Sequence, residues 1–358
     1  MNRIIIIISL IMTMITTTTS AAVKASYDIV PLPASISMQK GEPFMLSSAT
    51  RIVYVGSDEA MKRNAKFLAD YLAQTTGIKL STNAASGKAQ KNAITLCTDS
   101  KMGEEAYRIS VDKKGIVITG GSAKGMFYGI QTLRKSVPVG KTDNIELSAV
   151  RIADQPRFGY RGMMLDCSRH FFTVDFIKKY LDLMAMHNMN VFHWHLTDDQ
   201  GWRIEIKKYP RLTSVGSKRS GTIVGFNSMV DDQREYGGFY TQDQAREIVE
   251  YARQRYITII PEIDMPGHMK AALAAYPELG CTGGPYEVGH RWGIYLDVLC
   301  LGNEKIYAFC EDVLKELSDI FPYEFVHIGG DETPTERWAE CPKCQAVAKE
   351  HGLTAKTL

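Results

Sequence analysis

Residues 325 to 332 read Phe-Val-His-Ile-Gly-Gly-Asp-Glu, an apolar run, two glycines and two adjacent carboxylates. The length and branched side chains of the run predict a buried strand over 325–328, which the glycines end. Asp331 and Glu332 then stand beyond the carboxyl end of that strand, where α/β proteins build their sites. Because neighbouring carboxylates resist simultaneous ionisation, one could stay protonated as a general acid. The alternative is an acidic first turn of a helix running to Trp338.

Three further strand-like runs precede this octet, and each is followed by an amphipathic helical pattern. Repeated strand-then-helix units predict a parallel sheet or barrel of the α/β class. Strands are predicted over residues 161–166, 190–196, 257–263 and 325–330, and helices over 174–187, 241–255 and 304–320.

Each predicted strand ends in polar side chains with chemical uses. Because the carboxyl ends of parallel strands lie at one edge, we expect these side chains to form the rim of an active site on a (β/α) barrel. A shared rim favours a catalytic role for the acidic pair over a helix cap. The polar residues after the four strands are Ser168, Arg169 and His170; Thr197, Asp198, Asp199 and Gln200; Asp264, Pro266, Gly267 and His268; and Asp331 and Glu332.

Several of these positions also have structural explanations. His193 and His195 share a strand face by the two-residue period and could form a metal pair, although packed or hydrogen-bonded histidines are the more frequent use of this pattern. Asp264 could support the turn at Pro266-Gly267. Arg169 could be a structural ion-pair residue, but a cation among carboxylates also suits bidentate recognition of vicinal hydroxyls.

The N-terminal part of the chain has a different pattern. Short alternating strands and two helices predict a small α+β domain, followed by a linker over 151–159. The predicted strands cover 51–55, 107–111 and 116–119, and the predicted helices cover 60–75 and 124–135. The predicted division is a signal segment over 1–22, the α+β domain over 23–153 and the strand-and-helix domain over 154–358.

The composition restricts the class of protein. The 358-residue chain is 45% hydrophobic and 23% charged with a formal charge of +2, which is typical of a soluble protein with two domains. Near-neutral charge without a dense Lys/Arg run argues against nucleic acid or an anionic membrane as a partner. Residues 1–22 predict a secretory signal, and hence an exported, periplasmic or secreted protein. The apolar run is too short for a membrane span, so none is expected in the mature protein.

Seven cysteines are an odd number for an exported chain, so at least one unpaired thiol is expected. Cys281 and Cys300 flank a glycine-rich insertion and could form a loop-closing disulfide. Cys341-Pro342-Lys343-Cys344 has the spacing of a zinc or redox pair. No second cysteine or histidine pair stands at ligand spacing in the sequence, so no metal site is predicted.

Four motifs resemble those of β-N-acetylhexosaminidases of glycoside hydrolase family 20, and they occur in the family's order. Residues 125–133 are similar to the small α+β domain that precedes the barrel in that family, so the resemblance covers nearly the whole mature chain. The motifs are Arg-Gly-Met-Met-Leu-Asp-Cys-Ser-Arg-His-Phe-Phe (161–172), His-Trp-His-Leu-Thr-Asp-Asp-Gln-Gly-Trp-Arg (193–203), Pro-Glu-Ile-Asp-Met-Pro-Gly-His (261–268) and His-Ile-Gly-Gly-Asp-Glu (327–332).

The resemblance implies a (β/α)8 barrel of the TIM type, with about its first half present, that hydrolyses terminal β-linked N-acetylglucosamine or N-acetylgalactosamine with retention. The acetamido oxygen of the substrate attacks the anomeric carbon, so no enzyme nucleophile is needed. Glu332 would be the general acid and then the base that activates water. Asp331 would orient the acetamido N–H and stabilise the positive intermediate. No cofactor is implied.

The same resemblance implies roles for other positions. Arg169 is similar to the arginine that binds the outer sugar hydroxyls. His268 would tune the proton affinity of Glu332, Asp198 rather than its neighbour Asp199 would fix the tautomer of His268, and Asp264 would support the loop. The implied partner is an N-acetylhexosamine-containing oligosaccharide or glycoconjugate. Gluco or galacto preference and oligomeric state stay open.

The chain departs from the family pattern at its end. It stops at Leu358 after four of the eight strands expected, and the tryptophans and tyrosine that usually complete the sugar pocket would lie beyond it. We therefore expect a fragment that is inactive or poorly folded alone, while the complete protein is catalytic.

Two other functions are weighed against hydrolysis by this mechanism. A glycan-binding protein without turnover would not need the acid at Glu332. A metal-dependent hydrolase using His193, His195 and Asp198 would be sensitive to chelators.

Overall fold

A computed structural model describes residues 22–87, 89–226, 228–354 and 356–358. The predicted signal segment over 1–22 lies outside the described residues except for Ala22, and it stays a prediction. Among the described residues, no helix combines the length and apolar character needed to cross a membrane. The chain divides into two compact units between Gln155 and Pro156.

The first unit is a mixed sheet with two helices and a smaller second sheet. Its strands are β1 (Val23–Lys24), β2 (Ser35–Met38), β3 (Phe44–Ser47), β4 (Arg51–Val55), β5 (Ser81–Ala85), β6 (Ala93–Thr98), β7 (Tyr107–Asp112), β8 (Gly115–Gly120), β9 (Asn144–Leu147) and β10 (Val150–Asp154), and its helices are α1 (Glu59–Thr76) and α2 (Ala123–Ser136). The seven-stranded sheet has the order β2-β10-β7-β8-β6-β4-β5, and the three-stranded sheet has the order β1-β9-β3. The α+β elements predicted here are confirmed.

Local sequence explains these elements. Asp58 caps the start of α1, and Gly77, in the left-handed region, ends it. Ser122 caps α2. α2 lies close on the sheet, because a Cβ at Gly129 would stand 2.6 Å from Cγ2 of Ile118 in β8. A larger side chain at this position would separate the helix from the strand.

The predicted linker over 151–159 is wrong for its first part. Residues 151–154 belong to β10, which pairs with β7 on one side and β2 on the other. Val150 and Ile152 are buried while Arg151 is exposed, so the segment has the two-residue period of a strand. The predicted domain boundary after residue 153 would cut this strand before its last residue.

The second unit contains the predicted strand-then-helix repeats. Its strands are β11 (Gly162–Asp166), β12 (Val191–Asp198), β13 (Gly201–Trp202), β14 (Lys218–Arg219), β15 (Tyr236–Gly237) and β16 (Thr258–Ile263). Its helices are α3 (Val174–Met186), α4 (Arg211–Ser214), α5 (Gln242–Arg253), α6 (Lys270–Ala275), a 3-10 turn (Pro277–Leu279), α7 (Lys305–Ile320), α8 (Glu336–Glu340) and α9 (Pro342–Glu350).

Strands β11, β12 and β16 form a parallel sheet with β12 in the middle. Helix α3 lies in the chain between the first two strands, and α5 lies between β12 and β16. Alternate residues of β12 pack away from the site: Phe192 contacts Tyr180 of α3, and Trp194 contacts Tyr240. The carboxyl ends of the three strands therefore lie at one edge, where the polar residues follow.

The prediction of a buried fourth strand over 325–330 is wrong in two respects: the segment pairs with β16 only through a single bridge, and its large apolar side chains are exposed. His327 forms an isolated parallel bridge with Glu262 of β16, while Phe325 is 56% and Ile328 51% exposed. Within the described residues no strand pairs with the other edge of this segment, so its side chains are only partly covered. The helix-cap alternative for the acidic pair is also wrong, because α8 begins at Glu336.

Candidate active site

The acidic pair lies on a loop that is fastened to the end of β16. Backbone hydrogen bonds join Ile263 N–H to the carbonyl of His327 at 3.1 Å and Met265 N–H to that of Ile328 at 3.0 Å. Gly330 N–H then donates to Oδ1 of Asp264 at 3.1 Å. These contacts place Asp331 and Glu332 beside the residues that follow β16.

The backbone of this loop is unusual. Gly329 and Gly330 have φ of 65° and 95°, and Glu332 itself has φ of 42°. A Cβ at Gly329 would stand 1.8 Å from Oδ1 of Asp264. Glycine at this position is therefore required both by the backbone angle and by the close approach of the carboxylate. A positive φ at a glutamate is uncommon and often marks a functional position.

His268 connects the acidic pair to two buried aspartates. Its Nδ1 lies 3.1 Å from Oδ2 of Asp199 and 3.3 Å from Oδ1 of Asp198. Its Nε2 has no hydrogen-bond partner among the described residues and faces Oε2 of Glu332 at 3.4 Å. The Glu332 side chain is 54% exposed. A buried ring nitrogen is thus directed at the exposed carboxylate.

The aspartates fix the charge of this histidine. Hydrogen bonds to Asp198 and Asp199 raise the pKa of His268 to about 11, against the opposing effect of burial. Burial opposes ionisation of Asp198, but hydrogen bonds from His195 and His268 and the charge of Arg169 lower its pKa to about 2. Burial and the charge of Asp198 raise the pKa of Asp199. At neutral pH, His268 is therefore an imidazolium that is paired with at least one ionised aspartate.

Arg169 spans three polar partners at the ends of two strands. Its guanidinium lies 3.0 Å from Oδ2 of Asp166, 2.8 Å from Oδ2 of Asp198 and 3.2 Å from Oε1 of Gln200. These bonds hold its planar fork in one orientation. A cavity of about 30 Å³ opens beside Arg169 and Gln200, and Trp292, which is 52% exposed, is on its wall.

Asp264 supports the loop of residues 329–332 that carries Asp331 and Glu332, the acid loop. It is buried, its N–H donates to Thr197 Oγ1 at 3.1 Å, and its carboxylate accepts the Gly330 N–H. One of its oxygens, one of Asp331 and one ring nitrogen of His268 lie within 4.8 Å of one another. Burial and the charges of Asp331 and Asp198 raise the pKa of Asp264 to about 7, despite the Gly330 hydrogen bond.

Glu262 is a site residue that the sequence reasoning missed. Its Oε2 lies 2.5 Å from Nε2 of His193 and 2.6 Å from Nδ1 of His195, and its Oε1 lies 3.0 Å from Nδ1 of His327. His193 and His195 therefore share one carboxylate, and His195 also reaches Asp198, its Nε2 lying 3.0 Å from Oδ2. The signal was present: a glutamate inside an apolar strand marks a buried, paired charge.

The cysteines are arranged differently from the sequence-based expectation. All seven are free, so the disulfide between Cys281 and Cys300 is not formed. Instead these two lie together with Cys341 and Cys344, with sulfur atoms within 4.8 Å of one another. Sequence spacing could not show this group, because its two halves are far apart along the chain.

Comparison with known proteins gives one consistent family. Residues 158–357 match the family described as Glycosyl hydrolase family 20, catalytic domain, and residues 26–155 match Glycosyl hydrolase family 20, domain 2. The chain is 44% identical to a beta-hexosaminidase of Porphyromonas gingivalis over 91% of its length and 41% of the relative's. It is 36% identical to a beta-N-acetylhexosaminidase of Cellulomonas fimi over 86% of its length and 60% of the relative's.

Solved structures agree with these matches. The exo beta-N-acetylglucosaminidase of Vibrio harveyi, in complex with N-acetylglucosamine, superposes with a TM-score of 0.79 at 35% identity, over 94% of this chain and 51% of that one. A Streptomyces coelicolor beta-N-acetylhexosaminidase gives 0.76 at 35% identity, over 92% and 65%. The predicted α/β fold, a barrel preceded by a small domain, is confirmed. The chain spans about half the length of the curated relatives it matches.

Proposed function

The chain belongs to glycosyl hydrolase family 20, and from that membership we propose that its protein is an exo-acting β-N-acetylhexosaminidase. The substrate class is a glycan or glycoconjugate with a terminal, non-reducing N-acetylglucosamine or N-acetylgalactosamine. The reaction is retaining and substrate-assisted, so the acetamido oxygen of the sugar displaces the leaving group.

The observation that carries the proposal is the row Glu332, His268 and Asp199. An exposed carboxylate faces a buried ring nitrogen at 3.4 Å, and the other ring nitrogen is held by aspartate at 3.1 Å. Such a row can hold or move a proton at Oε2 of Glu332 while keeping the ring fixed. A binding protein has no need of that arrangement.

Adjacent carboxylates require a division of roles. Two side chains on consecutive residues cannot easily reach opposite faces of one scissile bond, so we assign proton transfer to Glu332. Asp331 then orients the acetamido group and stabilises the positive charge that develops on it. Arg169, fixed by its own partners, is assigned to the outer sugar hydroxyls, which places the reacting centre over the acidic pair.

The test is a Glu332→Gln variant of the full-length protein, including any residues encoded beyond Leu358. With a chromogenic β-N-acetylglucosaminide, kcat should fall by about 10² to 10⁴, the usual contribution of a positioned general acid. Binding of N-acetylglucosamine, followed by calorimetry, should persist. Glu336→Gln is the matched control, since Glu336 is exposed nearby at the start of α8.

Two results would count against the proposal. A rate for Glu332→Gln close to that of the Glu336→Gln control would show that Glu332 is not the general acid. If substrates bearing a plain hydroxyl at carbon two were turned over as fast as those bearing an acetamido group, the acetamido group would have no catalytic role, because the hydroxyl sugars lack that internal nucleophile.

A further inference from the structure

Four cysteines from three separate places in the second unit come together in space. Cys281 follows the 3-10 turn, Cys300 lies just before α7, and Cys341 and Cys344 lie at the start of α9. The sulfur of Cys344 lies 3.8 Å from that of Cys281 and 3.6 Å from that of Cys300, and the sulfurs of Cys300 and Cys341 are 3.7 Å apart.

These separations match the edges of a metal-centred tetrahedron. Sulfur ligands at about 2.3 Å from a zinc ion stand about 3.8 Å from one another by simple geometry. A disulfide needs about 2.05 Å. Because every pair of the four sulfurs lies within 4.8 Å, one ion among them could bind all four with small shifts, whereas two disulfides would require larger ones.

The surroundings suit a closed, structural site. Cys300, Cys341 and Cys344 are 1%, 6% and 0% exposed, and Val298 and Trp338 are buried in the same cluster. Thiols are weak hydrogen-bond donors and acceptors, so three buried thiols and the partly buried Cys281 satisfy one another poorly. Cys341 stands at the N-terminal end of α9, directly before its first turn. N–H groups at a helix start stabilise a thiolate, which is the form that binds metal.

We propose that Cys281, Cys300, Cys341 and Cys344 bind one Zn²⁺ as a structural tetrathiolate site. Four protein ligands leave no open position for water or substrate, so the ion has no part in hydrolysis. Soft thiolate ligands in tetrahedral geometry select zinc over calcium or magnesium. The inference does not depend on the proposed function.

The site has a mechanical consequence for the acid loop. Trp338 Nε1–H donates to the Leu299 carbonyl at 2.9 Å, and Arg337 Nε lies 2.9 Å from Oδ1 of Asp297. Leu299 N–H in turn donates to the Pro266 carbonyl at 3.0 Å. Zinc would hold the loop that ends at Cys300 against α8 and α9. These two helices follow Asp331 and Glu332 in the chain. Close backbone packing here also requires glycine, because a Cβ at Gly302 would stand 2.2 Å from the Lys343 carbonyl carbon.

The experiment measures metal in the full chain purified under reducing conditions. Elemental analysis should find one zinc per chain, and a mercurial reagent that blocks thiols should release it to a colorimetric indicator. Cys344→Ser should lose the zinc. Cys310→Ser, at a partly buried free cysteine of the same unit outside the group, should retain it.

A second measurement keeps the proposal testable if Cys344→Ser does not fold. Replacing zinc by Co²⁺ in the unaltered chain should give the intense visible absorption of tetrahedral cobalt bound to thiolates. Absence of stoichiometric zinc from the reduced chain would overturn the proposal, and so would a Cys281–Cys300 or Cys341–Cys344 disulfide found by mass spectrometry in chain purified without reductant. So would zinc content unchanged in Cys344→Ser.

Discussion

His268 is held between two aspartates on one side and Glu332, the proposed general acid, on the other. The resemblance pointed to Asp198 rather than Asp199 as the partner of His268, but adjacent residues at a strand end can both turn toward the same group. The structure uses both: Asp199 is nearer to Nδ1, while Asp198 also binds His195 and Arg169. Asp198 therefore joins Arg169 to the row of Glu332, His268 and Asp199 proposed for proton transfer, and Asp199 is the nearer support of the ring.

Asp264 gives the site a pH-dependent contribution to stability. Its pKa is raised from 3.8 to about 7 in the folded chain. Between these values the folded state keeps a proton that the unfolded state has released, so stability from this group is full below about pH 4 and is lost as pH rises through 7. Asp264→Asn can still accept the Gly330 N–H but cannot titrate. The urea concentration at the unfolding midpoint of Asp264→Asn should therefore rise relative to that of the unaltered chain as the pH increases from about 5 to about 8.

An exposed aspartate provides the control for that comparison. Asp243, with a side chain 96% exposed, can be changed to asparagine to account for the loss of one carboxylate. If the midpoints of Asp264→Asn and the unaltered chain stayed parallel across this pH range, the raised pKa would be refuted.

The acid loop is the element on which the site depends. Gly329→Ala would place a Cβ 1.8 Å from Oδ1 of Asp264 and would displace the bond that fastens Gly330. Gly352 has nearly the same φ, 66° against 65°, with nothing within 4 Å of its Cβ position. Gly352→Ala should therefore cost only the left-handed penalty, about 1 to 2 kcal/mol. Gly329→Ala should lower the free energy of unfolding by more, and should also reduce kcat.

Urea unfolding and turnover of the two variants check this difference. Equal losses of stability, with full activity in Gly329→Ala, would show that the loop tolerates displacement from Asp264.

Elements with a clear period were predictable from sequence. The residues 107–111 alternate in burial and form β7, and the amphipathic pattern over 304–320 forms α7. The segment over 325–330 was misjudged because an apolar run is only buried where neighbours cover it. β10 was missed because Asp154-Gln155-Pro156 indicates a break, which the structure places after the strand. Glu262 was missed because its partners come from other strands.

At the scale of the whole molecule, each of the two units is compact by itself. The second unit brings together residues that are distant along the chain, both in the acid site and in the cysteine group, so sequence spacing reveals only their parts. The first unit has its own interior: Ile52, Leu68, Ile94, Ile116 and Ile130 are each 0% exposed. Its seven-stranded sheet and both helices lie within residues 35–154.

The first unit is therefore expected to fold by itself. A polypeptide of residues 22–155 should unfold in urea in one cooperative transition, since a sheet with a helix-covered face and a dry interior meets the requirement for a domain. Ile94→Ala removes a fully buried side chain from β6 and should lower its free energy of unfolding by about 2 to 5 kcal/mol. Val139→Ala, at a position 79% exposed, is the control and should change it by about 0.5 kcal/mol or less. A broad transition, or equal effects of both substitutions, would show that residues 22–155 lack an independent core.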